Sequence, residues 1–374
     1  MTDTPPPARV AEILSRPFGL NGLTVPNRLV MAPMTRTFSP AGVPGEDVVS
    51  YYARRAAAGV GLVVTEGVYV DHESAGEFDR IPRLHGQERQ AAWSKVVEAM
   101  HAEGGTIVPQ IWHIGMIRDR PEGAYADAPH IGPSGIRTDG TEGAGKAMTL
   151  QDVDDVIESF ARAAATSQAL GFDGVELHGA HGYLIDQFLW AGTNRRTDEY
   201  GGDVVARTRF AAEIVRAVRA AVSPDFPVIF RFSQWKLWAW EARLAETPGE
   251  LEALLAPLAE AGVDAFHAST RRHWIPEFEG SDLNLAGWAK KLTGKPAITV
   301  GSVGLDGDFL EAFLGKGAPL KGIDGLLERL EAGEYDLVAV GRALLQDPEW
   351  AAKVLDGRFG ELQAYDAVSL ESLS

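Results

Sequence analysis

At 374 residues, 45% of them hydrophobic and none of them cysteine, the chain has material for a large core. It has none for disulfides, thiolate metal sites, cysteine-held iron–sulfur clusters or a cysteine nucleophile. A net charge of -17 speaks against nucleic acid or an anionic membrane as partner, because clustered Lys and Arg hold such surfaces, while a local cationic pocket for a small anion stays compatible.

The opening MTDTPPPARV lacks an apolar run of signal-peptide length, and no later stretch approaches the roughly 20 uncharged apolar residues of a spanning helix, so a cytoplasmic protein is expected. In chain order, strand-like apolar runs end at Thr35 (NRLVMAPMT), Gly67 (GLVVTEG), His113 (TIVPQIWH) and His181 (GVELHGAH). Four more end at Gln234 (PVIFRFSQ), Thr270 (AFHAST), Val303 (PAITVGSV) and Ala343 (LVAVGRA). Helical periodicity fills the intervals, as in DVVSYYARRAAAG and RTRFAAEIVRAVRAAV, and several helices close on a glycine (Gly59, Gly171, Gly262) before the next strand. Eight such alternations predict an α/β fold, a single (β/α)8 TIM barrel over residues 1–374. Gly115–Ala147 and Ala191–Arg207 break the rhythm and read as long loops over the C-terminal face of the strands. An open doubly wound sheet is the alternative, but no GxGxxG follows the first strand, and the unusual polar residues gather where strands end.

The fourth strand runs into ELHGAHGYLIDQFL, which places His178, His181 and Tyr183 within six residues. Positions three apart on an extended chain face opposite ways, so the two imidazoles converge only through a turn, which Gly179 and Gly182 permit. Such a pair can bind a metal with Glu66, His113 or His267, bracket one oxygen as twin hydrogen-bond donors, or only satisfy nearby backbone. Tyr183 is a candidate proton donor. Thr35, Gln110 and Arg231 offer a hydroxyl, an amide and a guanidinium at the ends of strands one, three and five. Gln110 and Arg231 alone serve equally well as core hydrogen-bonding or ion-pairing residues, but the three together suit the edge of a flat heterocycle. Gly301 and Gly341, with Arg342, suit an anion at the corner where this fold often binds phosphate. The run FSQWKLWAWEARL crowds Trp235, Trp238 and Trp240 together, as an apolar cluster supporting the rim, a narrowing of the cleft, a covered partner surface or an altered sequence. Arg271, Arg272 and Trp274 after strand six, and Tyr69 and Phe78 after strand two, are further candidates for the cleft.

Taken in order, NRLVMAPMTR, TEG, QIWH, HGAHGYLIDQFL, NRRTDEYGG, FRFSQ, VGSVG and AVGRALLQDP resemble the old yellow enzyme family of FMN-dependent ene-reductases over nearly the whole length. The resemblance implies non-covalent FMN, its ring stacked on Pro33, Met34 and Thr35, with Thr35 bonded near the carbonyl that flanks N5. It further implies Gly67 packed close to the ring, Gln110 reading the pyrimidine edge, Arg231 near N1 favouring the reduced anion, and Gly301, Ser302, Gly341 and Arg342 holding the phosphate. His178 and His181 are then expected to grip the carbonyl or nitro oxygen of an activated alkene and to help place the nicotinamide. By the same resemblance NAD(P)H is the reductant, hydride reaches the alkene β-carbon, Tyr183 protonates the α-carbon, and the kinetics are ping-pong. Thr35 and the absence of cysteine set the chain apart from the branch with a flavin-tuning cysteine and from the larger iron–sulfur relatives. Tyr365 lies nearest to the place of an aromatic that some members contribute from their C-terminal region. The expected partners are activated alkenes and the nicotinamide nucleotide, with room for a homo-oligomer and none for nucleic acid or membrane. The alternatives are a metal-assisted hydrolase on the same barrel and a flavin-containing redox-sensing or binding protein.

Overall fold

All eight expected strands form, and parallel pairing of their Val-, Ile- and Ala-rich runs closes them into a barrel. The computed structural model describes residues 6–118 and 126–374. The strands are β1 (Leu29–Met31), β2 (Leu62–Tyr69), β3 (Thr106–Trp112), β4 (Val175–His178), β5 (Val228–Phe232), β6 (Ala265–Ser269), β7 (Ala297–Val300) and β8 (Leu337–Val340). Each pairs with the next, and β8 closes on β1 through Val338 beside Leu29 and Val340 beside Met31. Among the described residues no helix is long and apolar enough to cross a membrane.

Several ladders stop short of the ends expected from the apolar runs: β1 at Met31 rather than Thr35, β4 at His178 rather than His181, β7 at Val300 rather than Val303, and β8 at Val340 rather than Ala343. The chain leaves the sheet there in conformations a ladder cannot hold, with φ of 64° at His181, 149° at Gly301 and 49° at Ser302. Both long connections are more ordered than plain loops. Ile131–Gly132 pairs with Lys146–Ala147, and a helix begins at Val204, within the Ala191–Arg207 stretch, where the Asp203 side chain caps the Ala206 N–H. Residues 119–125 of the first connection lie outside the described set.

Side-chain alternation divides each strand between two cores. Val30, Leu62, Val64, Val108, Ile229, Ala265, Ile298, Leu337 and Ala339 fill the barrel interior, and Leu20 and Val25 of an N-terminal hairpin (Phe18–Leu20 with Leu23–Val25) join them as a floor. The intervening residues, such as Val63, Ile107, Leu177 and Phe230, pack outward against the helices. Continuing the inward parity along each strand leads from Val108 to Gln110 and Trp112, from Ile229 to Arg231, and from Ala265 to His267 and Ser269. Glu176 and His178 take the inward places of β4, whose Val175 and Leu177 face the helices. A polar layer therefore lies above the apolar floor.

Candidate active site

At the C-terminal ends of the strands, that polar layer opens into a cavity of about 310 Å³. Twelve of the thirteen residues expected at the site line it: Pro33, Met34, Thr35, Gln110, His178, His181, Tyr183, Arg231, Gly301, Ser302, Gly341 and Arg342. The exception is Gly67. A Cβ there would stand 2.2 Å from Trp112 Cε3, so the missing side chain makes room for the Trp112 ring, and it is Trp112 that faces the cavity.

The turn after β4 brings the imidazoles together, their centroids 5.1 Å apart with ring planes at 84°. His181 itself takes the left-handed conformation, next to Gly182 at φ 83°. Gly179 serves a different purpose from the one expected, because its α-carbon lies against Phe230 and a Cβ would come within 2.4 Å of that ring. Trp235 stacks on His181 at 4.2 Å, while Trp112 lies 5.8 Å from His178 and 4.7 Å from Tyr183. Tyr69, expected in the cleft wall, instead backs Trp112 from behind at 5.1 Å, and neither it nor Phe78 lines the cavity. Of the tryptophan cluster, Trp235 narrows the cavity together with Leu237, and Trp240 packs behind Trp235. Trp238 is 44% exposed beneath the Arg137 guanidinium. Arg271 lines the cavity but is paired with Asp308 at 2.7 Å, whereas Arg272 borders a neighbouring pocket and Trp274 borders neither. Tyr365, buried under Arg342, does line the cavity.

Burial is the main force on both imidazoles, and the Arg231 cation adds to it, holding each well below the ordinary histidine range and therefore neutral. His178 Nδ1 accepts from Ala180 N at 3.4 Å, which places its proton on Nε2. His181 Nε2 lies 2.8 Å from Ser269 Oγ, which in turn accepts from Arg231 Nη2 at 3.2 Å. A serine proton given to His181 Nε2 leaves the other nitrogen of that ring protonated. Each imidazole is then neutral with one N–H left to donate, and both rings line the cavity. Among the described residues the Tyr183 hydroxyl has no hydrogen-bond partner, and burial raises its pKa, so it keeps its proton.

The residues open to a metal reading are separately engaged. Glu66 Oε2 accepts from Arg36 N at 2.9 Å, His113 Nε2 lies 3.3 Å from His72 Nδ1, and His267 Nδ1 lies 2.6 Å from Glu176 Oε2. Among the described residues no three His, Cys, Asp or Glu side chains are grouped to hold a metal ion.

A flat, donor-rich heterocycle with an anionic tail fits what is present. Among the described residues neither the buried Arg231 Nε nor Gln110 Oε1 has a hydrogen-bond partner. Gly341 leaves an open cradle in which a Cβ would meet nothing closer than Met34 Sδ at 3.4 Å. Arg342 stands at the other end, bonded to Ser302 Oγ at 3.0 Å and Gly307 O at 2.6 Å, which fixes the loop around it.

Glu66 clamps the chain just beyond Thr35, and burial pushes its carboxyl up to about 7 against the donors Arg36 and Thr37. Between its ordinary 4.5 and about 7 the folded chain keeps a proton that the unfolded chain releases, so stability falls as pH rises through that window. The slope contributed is at most about 1.4 kcal/mol per pH unit. Glu66→Gln keeps an accepting oxygen without titrating, so its thermal midpoint should vary less between about pH 5 and 7 than that of the parent. Equal slopes in the two proteins would contradict this role.

Residues 14–320 match the model of the NADH:flavin oxidoreductase / NADH oxidase family. An NADH oxidase of Thermoanaerobacter brockii is 33% identical over 353 residues, covering 92% of this chain and 51% of that protein, so the chain spans about half the length of this relative. A chanoclavine-I aldehyde reductase of Penicillium roqueforti is 30% identical over 97% of this chain and 92% of its own length. Among solved structures, morphinone reductase in complex with tetrahydroNAD superposes with a TM-score of 0.77 at 28% identity, over 96% of this chain and 93% of that one.

Proposed function

Because the chain belongs to the NADH:flavin oxidoreductase / NADH oxidase family, that of the old yellow enzymes, which use FMN with a nicotinamide nucleotide as reductant, we propose that it is an ene-reductase acting on activated alkenes. The observation that carries this reading is the pair of neutral imidazole donors and the free tyrosine hydroxyl above a cavity lined at one end by Gln110 and Arg231 and at the other by Ser302 and Arg342. Residues 1–374 act as one unit, which is supported by barrel strands drawn from Leu29 through to Val340 and by Tyr365 packing back on Ala318.

FMN, when bound, supplies two-electron hydride transfer, from NAD(P)H in one half-reaction and to an α,β-unsaturated carbonyl or nitroalkene in the other. Pro33, Met34 and Thr35 would form the wall for its ring, and Gly67 makes room for the Trp112 side chain that also lines the cavity. Gln110 offers an amide to the heterocycle edge, and Arg231 sets a buried cation where negative charge accumulates. Gly301, Ser302, Gly341 and Arg342 would hold the FMN phosphate. His178 and His181 donate to the carbonyl or nitro oxygen, and their value rises as charge moves onto that oxygen, since preorganised donors in a dry site need no reorganisation. Neutral imidazoles suit this task because they donate without giving their protons away. Tyr183, which lines the cavity and keeps its proton, would supply that proton to the α-carbon.

Anaerobic mixing with NADH or NADPH should bleach the flavin, and cyclohexenone should restore it. A flavin that bleaches but does not recover favours a sensor, and one that does neither rejects the proposal. Tyr183→Phe is expected to slow the recovery by about 10²-fold while changing the bleaching less than about twofold. If bleaching slows more than recovery, Tyr183 is not the proton donor.

A further inference from the structure

Beneath Gln110 lies a charge that the expected chemistry does not use. Glu176 is fully buried in the polar layer of the barrel. Its Oε1 accepts from Gln110 Nε2 at 2.7 Å, and its Oε2 lies 2.6 Å from His267 Nδ1. Register places Glu176 directly beside Gln110 on β3, and Arg231 beside His267 on β6.

Burial alone would raise the Glu176 carboxyl, but His267, Arg231 and Gln110 together outweigh it and hold it below its ordinary range. The imidazole, by contrast, is kept from charging by its own burial. An ionised carboxylate only accepts. Both neighbours must therefore turn an N–H toward it: His267 through Nδ1, and Gln110 through its amide nitrogen. The amide then has one orientation left, with Oε1 toward the cavity.

We propose that Glu176 is a positioning residue that locks the Gln110 amide oxygen toward the cavity, so that the site selects a heterocycle presenting a ring N–H at that point and rejects its N-alkylated analogue. This rests on the FMN reading above. The relevant group is the imide N3–H of the flavin pyrimidine. Glu176→Gln removes the lock. With His267 Nδ1–H bonded to the new carbonyl, the new amide nitrogen faces Gln110 and drives that side chain over, turning an N–H toward the cavity in place of an acceptor.

The test compares binding of FMN and 3-methyl-FMN to the apo-protein by quenching of flavin fluorescence, with no turnover involved. The parent protein should prefer FMN by at least about 10-fold, the cost of leaving a buried acceptor unpaired. Glu176→Gln should weaken FMN binding and narrow the preference to less than about threefold. In a Gln110→Leu background the same change should leave FMN affinity unaltered, because Glu176 acts through that amide. A parent that binds both flavins equally, a Glu176→Gln protein that keeps its preference, or an equal loss in the Gln110→Leu background would each overturn the proposal. If Glu176→Gln does not fold, Glu176→Asp, which draws the carboxylate back by one methylene, is judged by the same comparison. A parent protein that binds neither flavin overturns the FMN reading itself.

Discussion

His178→Ala is expected to lower the rate of alkene-dependent flavin reoxidation by about 10²- to 10³-fold, the effect of removing one preorganised donor from a developing oxyanion. The His178 ring is buried, neutral and protonated on Nε2 because its Nδ1 accepts from Ala180 N. Its contribution is therefore a directed N–H rather than a charge. His178→Asn, which keeps a side-chain N–H, should recover a large part of the loss, and phenol binding, which draws on the same donors, should follow the same order. FMN content should stay near that of the parent, since the proposed phosphate hold lies with Ser302 and Arg342 rather than at β4. Stopped-flow reoxidation with cyclohexenone and the absorbance of the purified protein measure the two quantities. A variant that loses FMN but keeps its affinity for alkene would remove His178 from the oxygen-binding role.

The barrel was legible from the chain because parallel strands buried on both faces appear as short apolar runs, and eight of them alternate with helical segments. Their ends were less legible. Apolar residues such as Val303 in a turn and Ala343 in the helix Arg342–Gln346 continue the composition of the strand after the ladder has stopped, so composition alone carries the strand too far. Within the site, Gln110, His178 and Arg231 stood out as polar residues in apolar runs. The same signal is present for Glu176, the carboxylate between Val175 and Leu177 at inward parity with His178. Trp112 was hidden because an aromatic residue at a strand end has the composition of core, and only its parity with Gln110 distinguishes it. Gly67 stands out as a glycine at a strand end, and its missing side chain makes room for the Trp112 ring. The division of labour among Trp235, Trp238 and Trp240 depends on a left-handed residue, Trp238 at φ 61°, and no spacing rule predicts that.

The mouth of the cavity also depends on a charge pair that the sequence did not disclose. Lys236 and Asp186, both fully buried, face each other at 2.9 Å. Lys236 Nζ also donates to Ser233 O at 3.0 Å and Gln234 O at 2.8 Å, so it caps the chain leaving β5. Asp186 Oδ2 accepts from Gly182 N at 2.7 Å, and Leu237 N donates to His181 O at 3.1 Å. The pair thus ties the end of β5 to the turn that carries His181. Lys236→Met is expected to cost about 3–5 kcal/mol, because a carboxylate left alone in the interior is penalised far more than the intact pair stabilises. Burial already pushes the Asp186 carboxyl above its ordinary range against the pull of Lys236, and without that cation it rises further. A group whose folded pKa is raised is stabilising below its unfolded pKa and loses that contribution as pH rises through the folded value. The deficit of Lys236→Met should therefore be smaller near pH 5 than near pH 8, which denaturant titrations at the two pH values measure. Adding Asp186→Asn, which removes the charge but keeps an acceptor for Gly182 N, should return a large share of the lost stability. A deficit independent of pH, or additive costs in the double variant, would mean that Lys236 acts through packing and backbone capping rather than through the charge of Asp186.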